Sequence, residues 1–380
     1  MTAFCAAHAR LDATSGAWLE YSHSNAPSLR AVFDLENPCA EYSVTQIGAW
    51  WERFFACGII RALLTAGLWR DGTLTIAPER VGICFSSSKG RPAEWEKAFG
   101  ETGASIFENS CDWALREIAA QTGATGKRIC PVAACAGGSH AIAIGAQWIE
   151  DGLADVVICG AIEAELASLI LAGYKQLGAL SERKIMRSFD ENRDGFVPSP
   201  GAGCLILENA EKAKLRGAGV LGILAGSSLM CDASSLTGLE PSGQPIERAM
   251  EDALRKQCTP LAVDYSVDYV NAHGTATRMN DATEARALNG VFGKDVAVSS
   301  TKSLTGHMLG AAGAVEAIFC LLAMQQNFAP PNLNLENRDA NCEIDIVEES
   351  GRVMNIETAM SLSYGFGGHI GVLIFESFNL

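Results

Sequence analysis

The chain has 380 residues, a net charge of −15, and 48% apolar against only 19% charged content. That length predicts two domains or one large duplicated domain, and an acidic chain of pI near 4.9 excludes nucleic acid as a partner, since phosphate contact needs clustered Lys and Arg. Glu316 interrupts the longest apolar stretch, AAGAVEAIFCLLAM, leaving no charge-free window of about 18 residues, so no membrane span is expected.

The opening segment MTAFCAAHARLDA has neither a basic leader nor a long apolar run, and no signal peptide is expected. A helix is predicted over 45–66 and a buried strand over 80–87. A helix over 139–151, a strand over 154–162, a helix over 166–177 and a strand over 203–209 follow. The charged stretch 208–220 marks a boundary, which divides the chain into halves 1–209 and 210–380. The second half predicts a helix over 244–256, a strand over 267–274, a helix over 281–290, a strand over 295–301, a helix over 311–325 and a strand over 371–377. Alternating strands and helices signal an α/β fold. The halves share no obvious sequence repeat, yet each places a polar candidate segment where a strand gives way to a glycine-rich turn.

Thirteen cysteines are many, but none are spaced as CxxC, which argues against structural zinc or a redox motif. Cys57, Cys84, Cys159, Cys204 and Cys320 sit among Val, Ile, Leu and Ala, as small core residues do. A reducing cytoplasm is the simplest reading.

Three segments carry the chemistry: PVAACAGGSHAI around Cys135, VNAHGTATRMND around His273, and STKSLTGHMLGAAGAVEAI around His307. A thiol can hold an acyl group, and two imidazoles can handle the charge of a decarboxylating thioester. Cys135 precedes a helical pattern, where the dipole favours thiolate; locally it reads equally as a buried structural cysteine. His273 follows an apolar strand, at the edge where α/β sheets place ligands; it reads equally as a satisfied core histidine, and so does His307. Lys302 could hold negative charge near His307 or be merely solvated. Glu316 is either a buried carboxylate in need of partners or a surface residue on an amphipathic helix. The turn SYGFGGHIG can present a backbone N–H to an oxyanion, although most glycine turns are only turns.

Together with RSFDENRDGFV, GAGCLILENAEKAKLRGA, DASSLTGLEPSG, PPNLNLE and SYGFGG, in that order, these segments resemble the elongating Cys-His-His β-ketoacyl-acyl carrier protein synthases of the thiolase superfamily. The resemblance covers roughly 45–380 and implies a duplicated, layered α/β/α/β/α thiolase-like fold. It implies a decarboxylative Claisen condensation with malonyl-acyl carrier protein, in fatty acid, polyene or polyketide-type biosynthesis. Cys135 would take the acyl group, and His273 and His307 would promote decarboxylation and stabilise the enolate. Lys302 would orient His307, with Glu316 in support. Backbone N–H groups of Cys135 and Phe366 would form the oxyanion hole, and Phe366 would gate the acyl pocket. Thr275 and Thr277 would bind the phosphopantetheine arm, which arrives on the acyl carrier protein; no other cofactor is implied. The partners would be acyl carrier protein and a second chain, in a homodimer or in a heterodimer with a related chain. Arg187, Arg193, Lys212 and Lys214 are candidates for a basic docking surface.

The chain departs from the family pattern in places. The region before 45 reads as shortened and the stretch from Lys89 to Cys111 as compressed. Pro200 stands where an acidic residue is usual. His369 and Ile370 replace Thr and Asn, and CAGG lacks the common Ser or Thr. Two other readings remain at this level: a non-catalytic chain-length partner subunit, against which Cys135 argues, and a coenzyme A-dependent acyltransferase of the same fold.

Overall fold

The structure is a computed structural model that describes residues 2–11, 54–98, 107–163, 166–257 and 267–378. Its main strands, in chain order, are β1 Thr2–Leu11, β2 Val81–Ser86, β3 Arg128–Ile129, β4 Val156–Glu163, β5 Gly201–Asn209, β6 Gly222–Cys231, β7 Tyr269–Asn271, β8 Ala297–Ser299, β9 Asp345–Ile346, β10 Thr358–Gly365 and β11 His369–Glu376. The α-helices are α1 Arg61–Thr65, α2 Pro92–Ala98, α3 Trp113–Thr122, α4 Gly137–Glu150, α5 Ser168–Gln176, α6 Ala210–Leu215, α7 Gln244–Arg255, α8 Arg278–Phe292, α9 Lys302–Thr305 and α10 Ala312–Gln326. The helix expected over 45–66 is seen as a π-helical stretch, Phe55–Ile60, running into α1; its first part lies outside the described residues.

The eleven strands form one hydrogen-bonded sheet in the order β9-β8-β7-β10-β11-β6-β1-β5-β4-β2-β3. The flanks are parallel (β7 with β8 and β10, β2 with β3 and β4), and the middle is antiparallel. β1, which carries no motif, joins the two halves: it pairs with β5 along its length and with β6 over Thr2–Phe4.

The apolar strands sort their side chains by face. Val81, Ile83, Phe85, Ile158, Ile162 and Ile206 pack with α1, α3 and α6. Cys84, Val157, Cys159, Leu205 and Leu207 point the other way, into a core shared with α4, α10, Tyr269, Ala359 and Phe375. Val270, Val298, Met360, Leu362, Val372 and Ile374 pack with α7 and α8 on the remaining face. The result is five layers with α4 and α10 in the middle, and strands buried on both faces explain the near-continuous apolar runs. The segment Leu309–Gln326, with Glu316 inside it, is long and apolar enough to cross a membrane by length and composition alone, but most of it is buried as the core helix α10 and the turn before it.

The central pair sits close because its contact surface is small. A Cβ on Gly138 would come within 2.4 Å of the Ala314 nitrogen, and one on Gly313 within 2.4 Å of Ser139 Oγ. Packing against α10 therefore holds residue 138 to glycine. Ala134 (φ 47°) and Leu309 (φ 50°) each open a three-residue 3-10 turn that winds into a central helix. The backbone repeats here although the sequence does not.

Candidate active site

Cys135, His273 and His307 line one cavity of about 340 Å³, together with Thr275, Thr277 and Phe366. All of these residues lie beyond the carboxyl ends of parallel strands or at the start of a central helix, where open α/β sheets place ligands. Lys302 and Glu316 are buried behind the cavity wall.

Cys135 sits in the Ala134–Ala136 turn at the foot of α4, and is only 7% exposed. The turn exists because Ala134 adopts a left-handed conformation, which re-aims the chain before the helix. Burial pushes the Cys135 thiol up, while the charges of Lys89 and Lys302 pull it down. The helix terminus alone thus does not set its protonation: burial dominates, and the cations offset part of it.

Gly365 packs directly on this turn. A Cβ there would lie 2.5 Å from the Ala133 oxygen and 3.2 Å from the Cys135 nitrogen. The chain after β10 can therefore bring the Phe366 backbone beside that of Cys135 only if residue 365 is glycine. Phe366 itself is half-buried, with its ring centroid 6.4 Å from that of Tyr174.

His273 follows β7, and its main chain is strapped down by a residue the sequence reading missed. Glu284 on α8 accepts the His273 N–H at 2.7 Å and the Gly274 N–H at 2.8 Å, with Asn280 Nδ2 at 3.3 Å. Burial pushes the Glu284 carboxyl up to about 7, against these hydrogen bonds. Its only sequence signal is its place on the helix after NAHGTAT, which is not diagnostic. The His273 ring stands edge-on to His307 and to Tyr364, with centroids 5.5 and 5.1 Å away. Tyr364 also lines the cavity and was not singled out.

Lys302 Nζ donates to Glu316 Oε1 at 2.5 Å and lies 3.2 Å from His273 Nδ1. The expectation that Lys302 orients His307 is corrected: its direct imidazole contact is His273, because α9 carries its side chain back under β7. A lysine ammonium has no lone pair, so Nδ1 accepts and the proton of neutral His273 sits on Nε2. His307 is fixed by its main chain, donating its N–H to the Val197 oxygen at 2.8 Å, and its ring meets Phe196 at 4.9 Å. Its Nδ1 has no hydrogen-bond partner among the described residues. Burial holds both imidazoles well below the usual histidine range, and nearby Lys302 adds to it in each case. Both rings are therefore neutral near pH 7.

Thr275 and Thr277 hydroxyls lie 3.0 Å apart on the cavity wall, with Thr277 at the start of α8. Arg193 is not a surface residue. Its side chain is 2% exposed, donates to Asp339 Oδ2 at 2.6 Å and to the carbonyls of Asp190 and Arg278, and lies 3.7 Å from Asp281. RSFDENRDGFV is thus a buried clamp on the start of α8, and Arg193 is withdrawn as a docking residue. Arg187 pairs with Glu336 at 3.1 Å; Lys212 and Lys214 lie on α6, which packs on β1 and β5 and contributes nothing to the cavity. Among the described residues, no three His, Cys, Asp or Glu side chains are grouped to hold a metal ion.

Residues 52–213 match the family described as beta-ketoacyl synthase, N-terminal domain, and 221–336 match beta-ketoacyl synthase, C-terminal domain. The chain is 41% identical over 264 residues to a 3-oxoacyl-[acyl-carrier-protein] synthase 2 of Synechocystis, a match that covers 67% of this chain and 63% of the relative. The chain therefore spans less than two thirds of that curated relative. A β-ketoacyl synthase from Burkholderia phymatum superposes with a TM-score of 0.77 at 31% identity, covering 84% of this chain and 80% of that one. A type II polyketide ketosynthase, solved in complex with its acyl-carrier protein and bound to the hexaketide, superposes with a TM-score of 0.84 at 26% identity, covering 99% of each chain. Two family matches in sequence order and whole-chain superposition agree with the five-layer architecture: the chain belongs to the β-ketoacyl synthase family.

Proposed function

We propose that the chain is a β-ketoacyl-acyl carrier protein synthase. The observation that carries this reading is the convergence of one thiol and two neutral imidazoles on a single cavity. In the first half-reaction Cys135 Sγ attacks the carbonyl of an acyl carrier protein thioester. The thiol of the carrier leaves with the proton that Cys135 gives up, and the acyl group stays on Cys135. Backbone N–H groups of Cys135 and Phe366 would hold the tetrahedral oxyanion.

In the second half-reaction a malonyl thioester loses carbon dioxide, and the electron pair of the broken C–C bond moves into an enolate. Neutral His273, protonated on Nε2, donates to the enolate oxygen, and neutral His307 supports the same oxygen. The carbanion carbon attacks the acyl-Cys135 carbonyl, and the Cys135 thiolate leaves. Lys302 contributes by fixing the His273 tautomer, and Glu316 balances its charge. Thr275 and Thr277 would bind the phosphopantetheine arm, and Phe366 would gate the acyl side.

The same reading assigns acyl carrier protein and a second ketosynthase-like chain, identical or related, as partners. It also divides the chain at 209/210 into a half with the nucleophile and a half with the histidines. The nine cysteines whose side chains are described are free thiols, as the proposed reducing compartment requires. The test is a condensation assay with acyl- and malonyl-carrier protein. The reading predicts one carbon dioxide released per 3-oxoacyl product, and no 3-oxoacyl product with Cys135→Ala; wild type that yields no 3-oxoacyl product from any acyl donor would contradict it.

A further inference from the structure

Beside Cys135, away from the Lys302–Glu316 pair, lies a second buried cluster that the reaction above does not use. Three chain segments meet there at one point. A Cβ built on Gly310 would lie 2.6 Å from Glu163 Oε1, 2.9 Å from Ser88 Cβ and 3.2 Å from the Ala134 oxygen, the residue before the nucleophile. Glu163, at the end of β4, is buried and accepts the Ser88 N–H at 2.5 Å. Lys89 continues from Ser88. Its Nζ donates to Ser88 Oγ at 2.6 Å and sits 5.8 Å from the centroid of the buried Tyr174 ring. Tyr174 in turn meets Phe196 and Phe366 on the cavity side. Among the described residues, no carboxylate forms an ion pair with the Lys89 ammonium.

We propose that Lys89 is a positioning residue for chemistry at Cys135: its ammonium, held by Ser88 and Tyr174, steadies the thiolate from the Glu163 side as Lys302 does from the Glu316 side. The inference deepens the ketosynthase reading and rests on Cys135 being the nucleophile. The charged groups that act on Cys135 include Lys89, Lys302, Glu163 and Glu316, and Tyr174 is a further titratable group coupled to it on the Lys89 side. The flanking imidazoles are neutral and add no charge. The benefit falls in steps where thiolate is present: attack on the incoming thioester, and departure after condensation. Lys89 touches neither reacting atom in this account; it acts through its charge.

The experiment measures alkylation of Cys135 by iodoacetamide across pH in the full-length protein, read on the Cys135 peptide by mass spectrometry so that other cysteines do not contribute. Wild type is compared with Lys89→Gln, Lys89→Met and Lys89→Arg, each checked for the native near-UV spectrum. Removing the charge should move the midpoint up by about one pH unit and slow alkylation at neutral pH roughly tenfold, the size expected for losing one nearby opposite charge. Lys89→Arg should restore the wild-type midpoint. Lys89→Gln keeps a polar tip for Ser88 and stands in if Lys89→Met does not fold. A natively folded Lys89→Gln or Lys89→Met with an unmoved midpoint would overturn the assignment, as would a loss that Lys89→Arg does not rescue. The parent reading fails separately, if Cys135 alkylates normally yet accepts no acyl group from any carrier protein.

Discussion

Lys302 Nζ lies 3.2 Å from His273 Nδ1 and 2.5 Å from Glu316 Oε1, and both charged side chains are buried. A buried ion pair is weak evidence for stability, because desolvation offsets most of the attraction. Its visible consequence is chemical: a permanent donor faces Nδ1, so Nε2 carries the proton. Lys302→Met should cost about 3–5 kcal/mol by stranding Glu316. Combining it with Glu316→Leu should recover most of that stability, while condensation stays down by about 100-fold or more, because the tautomer is no longer fixed. Chemical denaturation beside the condensation assay checks this. A double variant with wild-type activity would remove the tautomer role.

His307 gives a pH prediction. Its folded-state pKa is held well below the ordinary 6.5 by burial first, then by Lys302 and Lys89. Below 6.5 the unfolded chain therefore binds a proton at this position that the native state refuses. The contribution of His307 to stability is full above 6.5 and is lost as pH falls below it. Relative to His307→Asn, wild type should lose about 1.4 kcal/mol per pH unit below that point. Paired denaturation curves from pH 7 to pH 5 measure the difference, and a pH-independent gap would mean that His307 is not buried neutral.

Gly365 is held to glycine by the turn it packs on. Gly365→Ala would drive a methyl into the Ala133 oxygen and shift the Cys135 N–H. The expected cost is about 1–3 kcal/mol of stability and about a 100-fold slower acylation of Cys135, the size of one lost oxyanion donor. Stopped acylation time courses with acyl-carrier protein read the second effect directly.

Glu284 holds the His273 loop through two backbone N–H groups, and an amide can accept only on its single oxygen. Glu284→Gln should destabilise by about 1–3 kcal/mol and depress condensation, yet leave alkylation of Cys135 unchanged. That pattern would place the defect at His273 rather than at the nucleophile.

Arg193→Ala should strand Asp281 and Asp339 and cost about 3–5 kcal/mol, seen as a lowered melting temperature. A variant with wild-type stability and weakened carrier-protein binding would return Arg193 to the docking surface.

How far the sequence reached depends on how local each feature is. Cys135, His273 and His307 stand in runs of small residues at strand ends, and their motifs place them without knowledge of the fold. β2, β4 and β11 are apolar on both faces and read as strands at once. β10 was not expected, because TAMSLSYG mixes serine into the run. Ser361 and Ser363 are fully buried, and the Ser363 hydroxyl accepts that of Ser139 at 2.8 Å. Beside Ser139 and Gly313 only a small side chain fits at residue 363, so packing overrode β-propensity. β1 has an alanine-rich sequence and is a strand by virtue of its two neighbours. The partners of Lys302, the clamp by Arg193, the strap by Glu284 and the placement of Lys89 are contacts between residues distant in the chain, and spacing carries no trace of them.

The central claim is that Cys135 accepts an acyl group from a carrier protein. Intact-protein mass spectrometry, after mixing the chain with a panel of acyl-carrier protein thioesters, tests it most directly, with Cys135→Ala alongside. The account predicts a mass gain equal to the acyl group on wild type alone, with the preferred donor naming the substrate class. No adduct with any properly loaded donor, or an equal adduct on Cys135→Ala, would contradict it.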